Sequence, residues 1–258
     1  MMVTIGIAAG KGGVGKSTVS VNLSLALQAL GFAVGIMDAD LYGPSIQKML
    51  PEDRSPATSA GSAEIIPALC GGIELISMAY FRPQNEGFVV RSPIANGVIE
   101  QFVRDVRWGA LDFLLIDFPP GTGDIQLSLC QKGKLSGALI VTTPQEVALL
   151  DVVKTVDFLQ RMKVPILGVI ENMSFFPHPV TAEPMAIFGR GGGAKLATQL
   201  SRPLLAQIPI DPLICAAADE GVSLLAKAPD SPSALCYMEL AKKVRDLCKN
   251  EVASKWNL

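Results

Sequence analysis

The chain has 258 residues, 49% of them hydrophobic and 18% charged, with a formal net charge of −2. That length and composition suit one globular domain with a large core and exclude a disordered chain. The near-zero charge gives nucleic acid no broad basic field, no apolar run is long enough to span a bilayer, and five scattered cysteines without a Cys-x-x-Cys pair exclude a disulfide framework.

The first expected element is a strand through Val3, Ile5, Ile7 and Ala8, so close to the N-terminus that no signal or transit segment is expected and a cytoplasmic location is the simplest expectation. Gly10-Lys11-Gly12-Gly13-Val14-Gly15-Lys16-Ser17-Thr18 follows, and then the helical stretch Val19–Leu27. Gly10, Gly15, Lys16 and Ser17 satisfy G-x-x-x-x-G-K-[ST], the phosphate-binding loop. Glycines let the backbone curl so that several N–H groups point inward, and the helix adds its own unpaired N–H groups and positive dipole end. Lys16 would reach the β- and γ-phosphates, and Ser17 would hold Mg²⁺.

After Gly31 the run Phe32–Met37 reads as a buried strand that closes on Asp38-Ala39-Asp40, two carboxylates able to face the phosphates together. A short helix is expected over 45–50, and the Pro/Ser/Ala/Gly-rich stretch 51–63 reads as a surface loop. Residues 64–67 and 72–78 are expected to pair as a hairpin around Cys70-Gly71-Gly72, followed by an irregular loop over 80–91. A helix is expected over 92–108, with Ser92 as N-cap, Pro93 as first residue and Ile94, Val98, Ile99, Phe102 and Val106 at helical spacing. Leu111–Asp117 is an apolar strand with a terminal carboxylate, the Walker B pattern, so Asp117 is a second Mg²⁺ ligand, and Gly121 in the next loop offers an N–H to a γ-phosphate.

A strand over 138–143 ends at Pro144, and a helix from Gln145 places Leu149, Val152, Val153, Val156 and Leu159 on one face. Strands over 166–170 and 204–208 and a terminal helix over 230–249 complete the chain. Strand and helix alternate throughout, which predicts an α/β fold with a doubly wound, mostly parallel sheet, and a single domain over 1–258.

The loop G-K-G-G-V-G-K-S-T, with Lys11 directly after the first glycine, resembles the deviant Walker A of the MinD/ParA/nitrogenase-iron-protein class. Asp38-Ala39-Asp40-Leu41-Tyr42-Gly43-Pro44-Ser45, Asp117-Phe118-Pro119-Pro120-Gly121-Thr122-Gly123-Asp124, Val141–Glu146, Glu171-Asn172-Met173-Ser174, Ile187-Phe188-Gly189 with Gly191–Gly193, and Ile208–Pro212 are similar, in the same order, to the Mrp/ApbC family of P-loop ATPases, iron–sulfur cluster scaffolds or carriers. The resemblance implies a slow Mg-ATPase that works as a homodimer, with Lys11 reaching the partner's nucleotide. It also implies that Asp40 orients the attacking water and Asp38 sits near Mg²⁺. Asn172 would read the adenine edge, and the loop with Pro209 and Asp211 would wall the base. Client apo-proteins are implied as partners, and neither nucleic acid nor membrane is expected.

The chain departs from this family in one segment. A C-P-x-C-G-like stretch normally lies between E-N-M-S and I-F-G, and a cysteine pair there from each subunit holds a bridging cluster. Here the interval 175–186 reads F-F-P-H-P-V-T-A-E-P-M-A, with no cysteine and with His178, the single histidine. The thiolates that such a cluster needs are therefore missing. Two roles stay open on the sequence: an ATPase serving iron–sulfur protein maturation, and a cluster-free regulatory or positioning ATPase like MinD.

Overall fold

The computed structural model describes residues 2–58, 63–81 and 92–255. Nine strands form one sheet: β1 (Val3–Ala9), β2 (Val34–Asp38), β3 (Glu52–Arg54), β4 (Ala68–Cys70), β5 (Ile73–Ser77), β6 (Phe113–Asp117), β7 (Gly137–Thr142), β8 (Ile166–Glu171) and β9 (Leu204–Gln207), in the order β9-β8-β7-β1-β6-β2-β5-β4-β3. From β9 to β5 neighbouring strands run parallel, and β4 and β3 add an antiparallel edge. This is the mostly parallel doubly wound sheet that the alternating pattern predicts. Among the described residues no helix is long and apolar enough to cross a membrane.

The helices are α1 (Lys16–Ala29), α2 (Ile46–Met49), α3 (Ser92–Asp105), α4 (Asp124–Lys132), α5 (Glu146–Arg161), α6 (Gly192–Leu200), α7 (Pro212–Glu220), α8 (Leu224–Lys227) and α9 (Pro232–Lys255). Side chains alternate across each strand, so the core is split into two layers. Leu114, Ile116, Ala138 and Ile140 pack under α3–α6 with Ile99, Phe102, Val152 and Leu196. Ile5, Ile7, Leu115 and Leu139 face the other way, onto α1 and α9 with Leu23, Leu27, Tyr237 and Leu240.

Several local expectations change. The hairpin turns at Gly71 and Gly72, both with positive φ, but its first strand is β4 rather than 64–67. Ile65 and Ile66 pair instead with Ala57 and Thr58, so the stretch read as a loop carries strand at 52–54 and 57–58. Residues 59–62 and most of the expected loop 80–91 lie outside the described residues, and Met78–Phe81 is a 3₁₀ turn. Ser92 already belongs to α3, which places any N-cap before it and also outside the described residues. Ile94 and Val153, expected on buried faces, are exposed, because the burying stripes run through Ala95–Ile99–Phe102 and Leu149–Val152–Val156. The terminal helix continues past Lys249 to Lys255. Helices α4, α6, α7 and α8 were not expected, although Asp211-Pro212, an N-cap followed by proline at N1, marks the start of α7.

Candidate functional site

Strand periodicity delivers two carboxylates to one place. Residues 113, 115 and 117 of β6 face α1, as do 34, 36 and 38 of β2, so Asp117 and Asp38 leave their strands on the α1 side. They are register neighbours on adjacent parallel strands and both are buried. They lie at the carboxyl ends of the strands, where open α/β sheets bind ligands.

The phosphate loop bridges β1 and α1. Gly13 and Gly15 take φ values of 78° and 80°, which a Cβ would strain. At Gly10 a Cβ would stand 2.3 Å from the backbone nitrogen of Val152, so the loop rests directly on α5. Gly15 is the N-cap of α1 and supplies no side-chain cap, which leaves the first helical N–H groups free for an anion. Lys16 Nζ and Ser17 Oγ both lie 2.7 Å from Asp117 Oδ2, and Ser20 Oγ donates to Asp117 Oδ1 at 2.7 Å. The Lys16 and Asp117 side chains are 8% and 0% exposed, so this is a buried ion pair with hydrogen-bonded support. Ser20 was not anticipated; its position one turn after Lys16, on the same helix face, was the available signal.

Asp38 accepts from Ser77 Oγ at 2.9 Å and from the Asp40 N–H at 3.1 Å. Burial, and then the charge of Asp117, push its carboxyl up to about 7. Two buried carboxylates facing one lysine leave excess negative charge, and with Ser17 Oγ they form an all-oxygen donor set. These residues fit Mg²⁺, which would neutralise that excess and supply positive charge to a bound phosphate. Asp40, next along the chain, is partly exposed and accepts from the Gly43 N–H at 3.2 Å. Gly121, at φ 91°, stands in open space in the loop after β6.

Lys11 stands apart from this cluster. Its Nζ donates to Gln145 Oε1 at 3.3 Å, a neutral amide just before α5, and it has no carboxylate partner among the described residues. Gln145 is a second residue that the sequence reading did not single out.

On the far side of the loop, a cavity of about 330 Å³ is lined by Gly15, Thr18, Asn172, Pro209, Asp211 and Cys215, among others. Asn172 Nδ2 donates to the Val14 carbonyl at 2.8 Å, which pins the phosphate loop, and Oδ1 has no hydrogen-bond partner among the described residues. Asp211 walls the cavity, but both its oxygens are engaged: Oδ1 by the Leu213 N–H at 2.9 Å and Oδ2 by Ser233 Oγ at 2.6 Å. Its visible work is to cap α7 and tie it to α9.

The segment without cysteines is a small hairpin. Phe176 pairs with Met185 and Pro177 with Pro184, a ladder weakened by prolines that lack N–H donors. At its tip the Val180 and Thr181 N–H groups donate to His178 Nδ1 at 3.3 and 3.2 Å, and Ala182 holds a positive φ of 59°. Set against C-P-x-C-G, His178 and Thr181 stand in the cysteine positions and Ala182 in that of the glycine. The turn carries no thiolate at those positions. Cys236 and Cys248 lie on one unbroken helix, twelve residues or roughly 18 Å apart. Among the described residues no cluster of three or more His, Cys, Asp or Glu side chains could hold a metal. The residues present therefore do not fit a cluster of the family type.

Comparison with known proteins adds to this geometry. Residues 1–245 match the ParA family model, described as NUBPL iron-transfer P-loop NTPase. An iron–sulfur cluster carrier protein of Pyrococcus horikoshii is 44% identical over 250 residues, 93% of this chain and 84% of the relative. One from Deinococcus radiodurans is 44% identical over 236 residues, 92% of this chain and 67% of the relative. Among solved structures, a nucleotide-binding protein from Archaeoglobus fulgidus in complex with ADP superposes with a TM-score of 0.75 at 34% identity, over 91% of each chain. The septum site-determining protein MinD of Pyrococcus horikoshii, complexed with Mg-ADP, gives 0.68 at 25% identity over 97% of this chain and 99% of that one.

Proposed function

The chain belongs to the NUBPL-type iron-transfer P-loop NTPases of the ParA family, and from that premise we propose that it is a homodimeric Mg-ATPase whose nucleotide cycle serves iron–sulfur protein maturation. The observation that carries the proposal is the convergence of Lys16, Ser17 and Ser20 on Asp117 with Asp38 alongside. The loop N–H groups and Lys16 bind the phosphates, and Ser17 and Asp117 hold the magnesium ion, with Asp38 near it. Asp40 orients the water that attacks the γ-phosphate, and the Gly121 N–H senses that phosphate. The cavity beside Asn172 takes the base. With one Nδ2 hydrogen held by the Val14 carbonyl, which fixes the amide plane, Oδ1 accepts from the 6-amino group of adenine and repels the 6-oxo group of guanine.

Lys11 supports the dimer. A lysine beside the phosphate loop, held only by an amide, is free to serve a site other than its own. Iron–sulfur cargo is a substrate here rather than a resident group. Without thiolates in the 176–185 hairpin, the chain keeps the ATP-dependent part of the work and borrows cluster ligands from a client. The cluster-free regulatory reading, like MinD, is less well supported, because the relatives at 44% identity are carrier proteins.

The test mixes two inactive variants under proven subunit exchange. Lys11→Ala binds ATP but hydrolyses poorly, and Asp40→Ala binds and does not hydrolyse. A mixed dimer has one site with both an intact Asp40 and the partner's Lys11, so the mixture recovers to about a quarter of wild-type turnover. A mixture no more active than its parts overturns the trans role of Lys11.

A further inference from the structure

Three neighbouring strands, β9, β8 and β7, are entered through the same kind of turn. Each follows a helix, α6, α5 or α4, and each turn holds a residue other than glycine in the left-handed region: Ser201 at φ 51°, Lys163 at 58° and Lys134 at 47°. Five such residues occur among the described ones, and three of them stand at these entries. At the ends of α5 and α6 the turn closes the helix with backbone alone. The Lys163 and Val164 N–H groups donate to the Gln160 and Leu159 carbonyls, and the Ser201 and Arg202 N–H groups to those of Thr198 and Ala197. Glycine fits this capping position best, so Lys163 is held there at a cost that the cap does not require.

Strand β9 also begins late. Its first residue, Leu204, pairs with Val169, whereas β8 begins at Ile166. That step leaves a cavity of about 370 Å³ between the two turns, with Lys163 and Arg202 on its lining. Both residues are exposed, and neither side chain makes a hydrogen bond or ion pair among the described residues. No carboxylate lines the cavity, and Asp157, the acidic residue nearest to Lys163 in the chain, is taken by Arg161 at 2.8 Å. Val164, Pro165 and Leu200 supply apolar wall between the cations. Lys134, likewise exposed and unpaired among the described residues, stands at the entry to β7, so the three entries span two strand spacings, about 10 Å.

We propose that this recess docks an acidic segment of a partner polypeptide, with one carboxylate on the Arg202 guanidinium, a second on Lys163 and an apolar side chain between them against Pro165 and Leu200. The planar fork of Arg202 pairs a carboxylate bidentately, and Lys163 adds a point charge. A protein segment suits the site better than nucleic acid, because two or three cations neutralise few phosphates and a chain of net charge −2 repels a polyanion. The recess lies at the amino-terminal edge of the sheet and the phosphate site at the carboxyl ends of the strands, so a partner docked here leaves the nucleotide and Lys11 accessible. The docking rests on this geometry and not on the nucleotide assignment.

The experiment uses the nucleotide-free chain, so its failure and a failure of the ATP assignment are read separately. The probe is the peptide acetyl-Glu-Leu-Glu-Glu-amide at low ionic strength, followed through the isoleucine methyl resonances, since Ile166 lines the cavity. The Ile166 signal is expected to shift and to saturate on the order of a millimolar, as a few exposed ion pairs allow. The uncharged peptide acetyl-Gln-Leu-Gln-Gln-amide should leave it in place. Arg202→Gln and Lys163→Gly should each weaken binding about threefold, and together about tenfold. Lys163→Gly should also hold or raise the melting temperature, because glycine accepts the left-handed turn. An equal response to the uncharged peptide, full response in the double variant, or a lower melting temperature in Lys163→Gly overturns the proposal. So does tighter binding of oligothymidylate or of anionic phospholipid vesicles that is lost in the same variants, since phosphate would then be the ligand. Peptide-induced dissociation of a dimer would place the acidic segment on a second copy and overturns it too. Tighter peptide binding by a chain lacking residues 256–258 does the same, because the chain's own terminal carboxylate would be the occupant.

Discussion

The phosphate site and the 176–185 hairpin differ in how their side chains are held. At the carboxyl ends of β2 and β6, Asp117 meets three donors and Asp38 two, and both are buried. In the hairpin, residues 179–185 are exposed, and the ladder is two residue pairs long with proline on both sides of one of them. Removing a partner from the first site strands a buried charge. Changing a side chain in the second costs the fold almost nothing. The nucleotide chemistry is thus tied to the core, whereas cluster ligands on a solvated turn can be lost without disturbing it. This chain has the first and carries no cysteine in the second.

The sharpest way to break this contrast is Lys16→Ala. It removes the charge aimed at the phosphates and strands Asp117, so ATP affinity should fall on the order of a hundredfold or more in a titration. Stability should fall by about 3 kcal/mol, read as a drop in melting temperature of roughly 6–12 °C. Wild-type affinity with an unchanged melting temperature would mean that the site is not what holds this region together.

A gain of function sharpens it from the other side. His178→Cys with Thr181→Cys restores a C-P-x-C spacing on a turn whose backbone is already formed. After anaerobic reconstitution, iron and sulfide should rise from background to one cluster shared by two chains, with the melting temperature within about 1 °C of wild type. If the double variant gains no iron, more of the cluster site has been lost than its two ligands.

The smallest effect concerns Asp38. Its carboxyl sits near 7 in the folded chain against about 3.9 unfolded, so between those values the folded state holds the extra proton. Stability of the nucleotide-free protein therefore falls as pH rises from about 4 to about 7, and the melting temperature falls with it. Asp38→Asn should flatten that slope in melts between pH 5 and 8. An identical slope in the variant would place the proton elsewhere.

Chemistry that depends on short spacing was legible before any coordinates. The phosphate loop, the Asp38–Asp40 pair and the Walker B strand each lie within ten consecutive residues, and local backbone geometry decides what such stretches do. Contacts between residues distant in the chain were not legible. Gln145 meets Lys11 across 134 positions, Asn172 reaches Val14 across 158, and Ser20 matters because β6 delivers Asp117 beside it. Edge strands of two or three residues carry too little hydrophobic period to be read, so the partner of β5 was misplaced by a few residues.

Alternation of apolar strands and amphipathic helices determined the sheet, and the glycines determined the turn between β1 and α1, since both follow from steric and periodic rules that act along the chain. The tertiary structure alone decided that Val153 is exposed and Val152 buried, because helical spacing is nearly as good for either and only the position of β1 and the loop under α5 separates them. It alone decided that Asp211 spends both oxygens on α7 and α9, and that the Asn172 amide braces the loop with its donor. A side chain with several bonding options takes the one its neighbours leave open, and those neighbours are set by packing across the sheet.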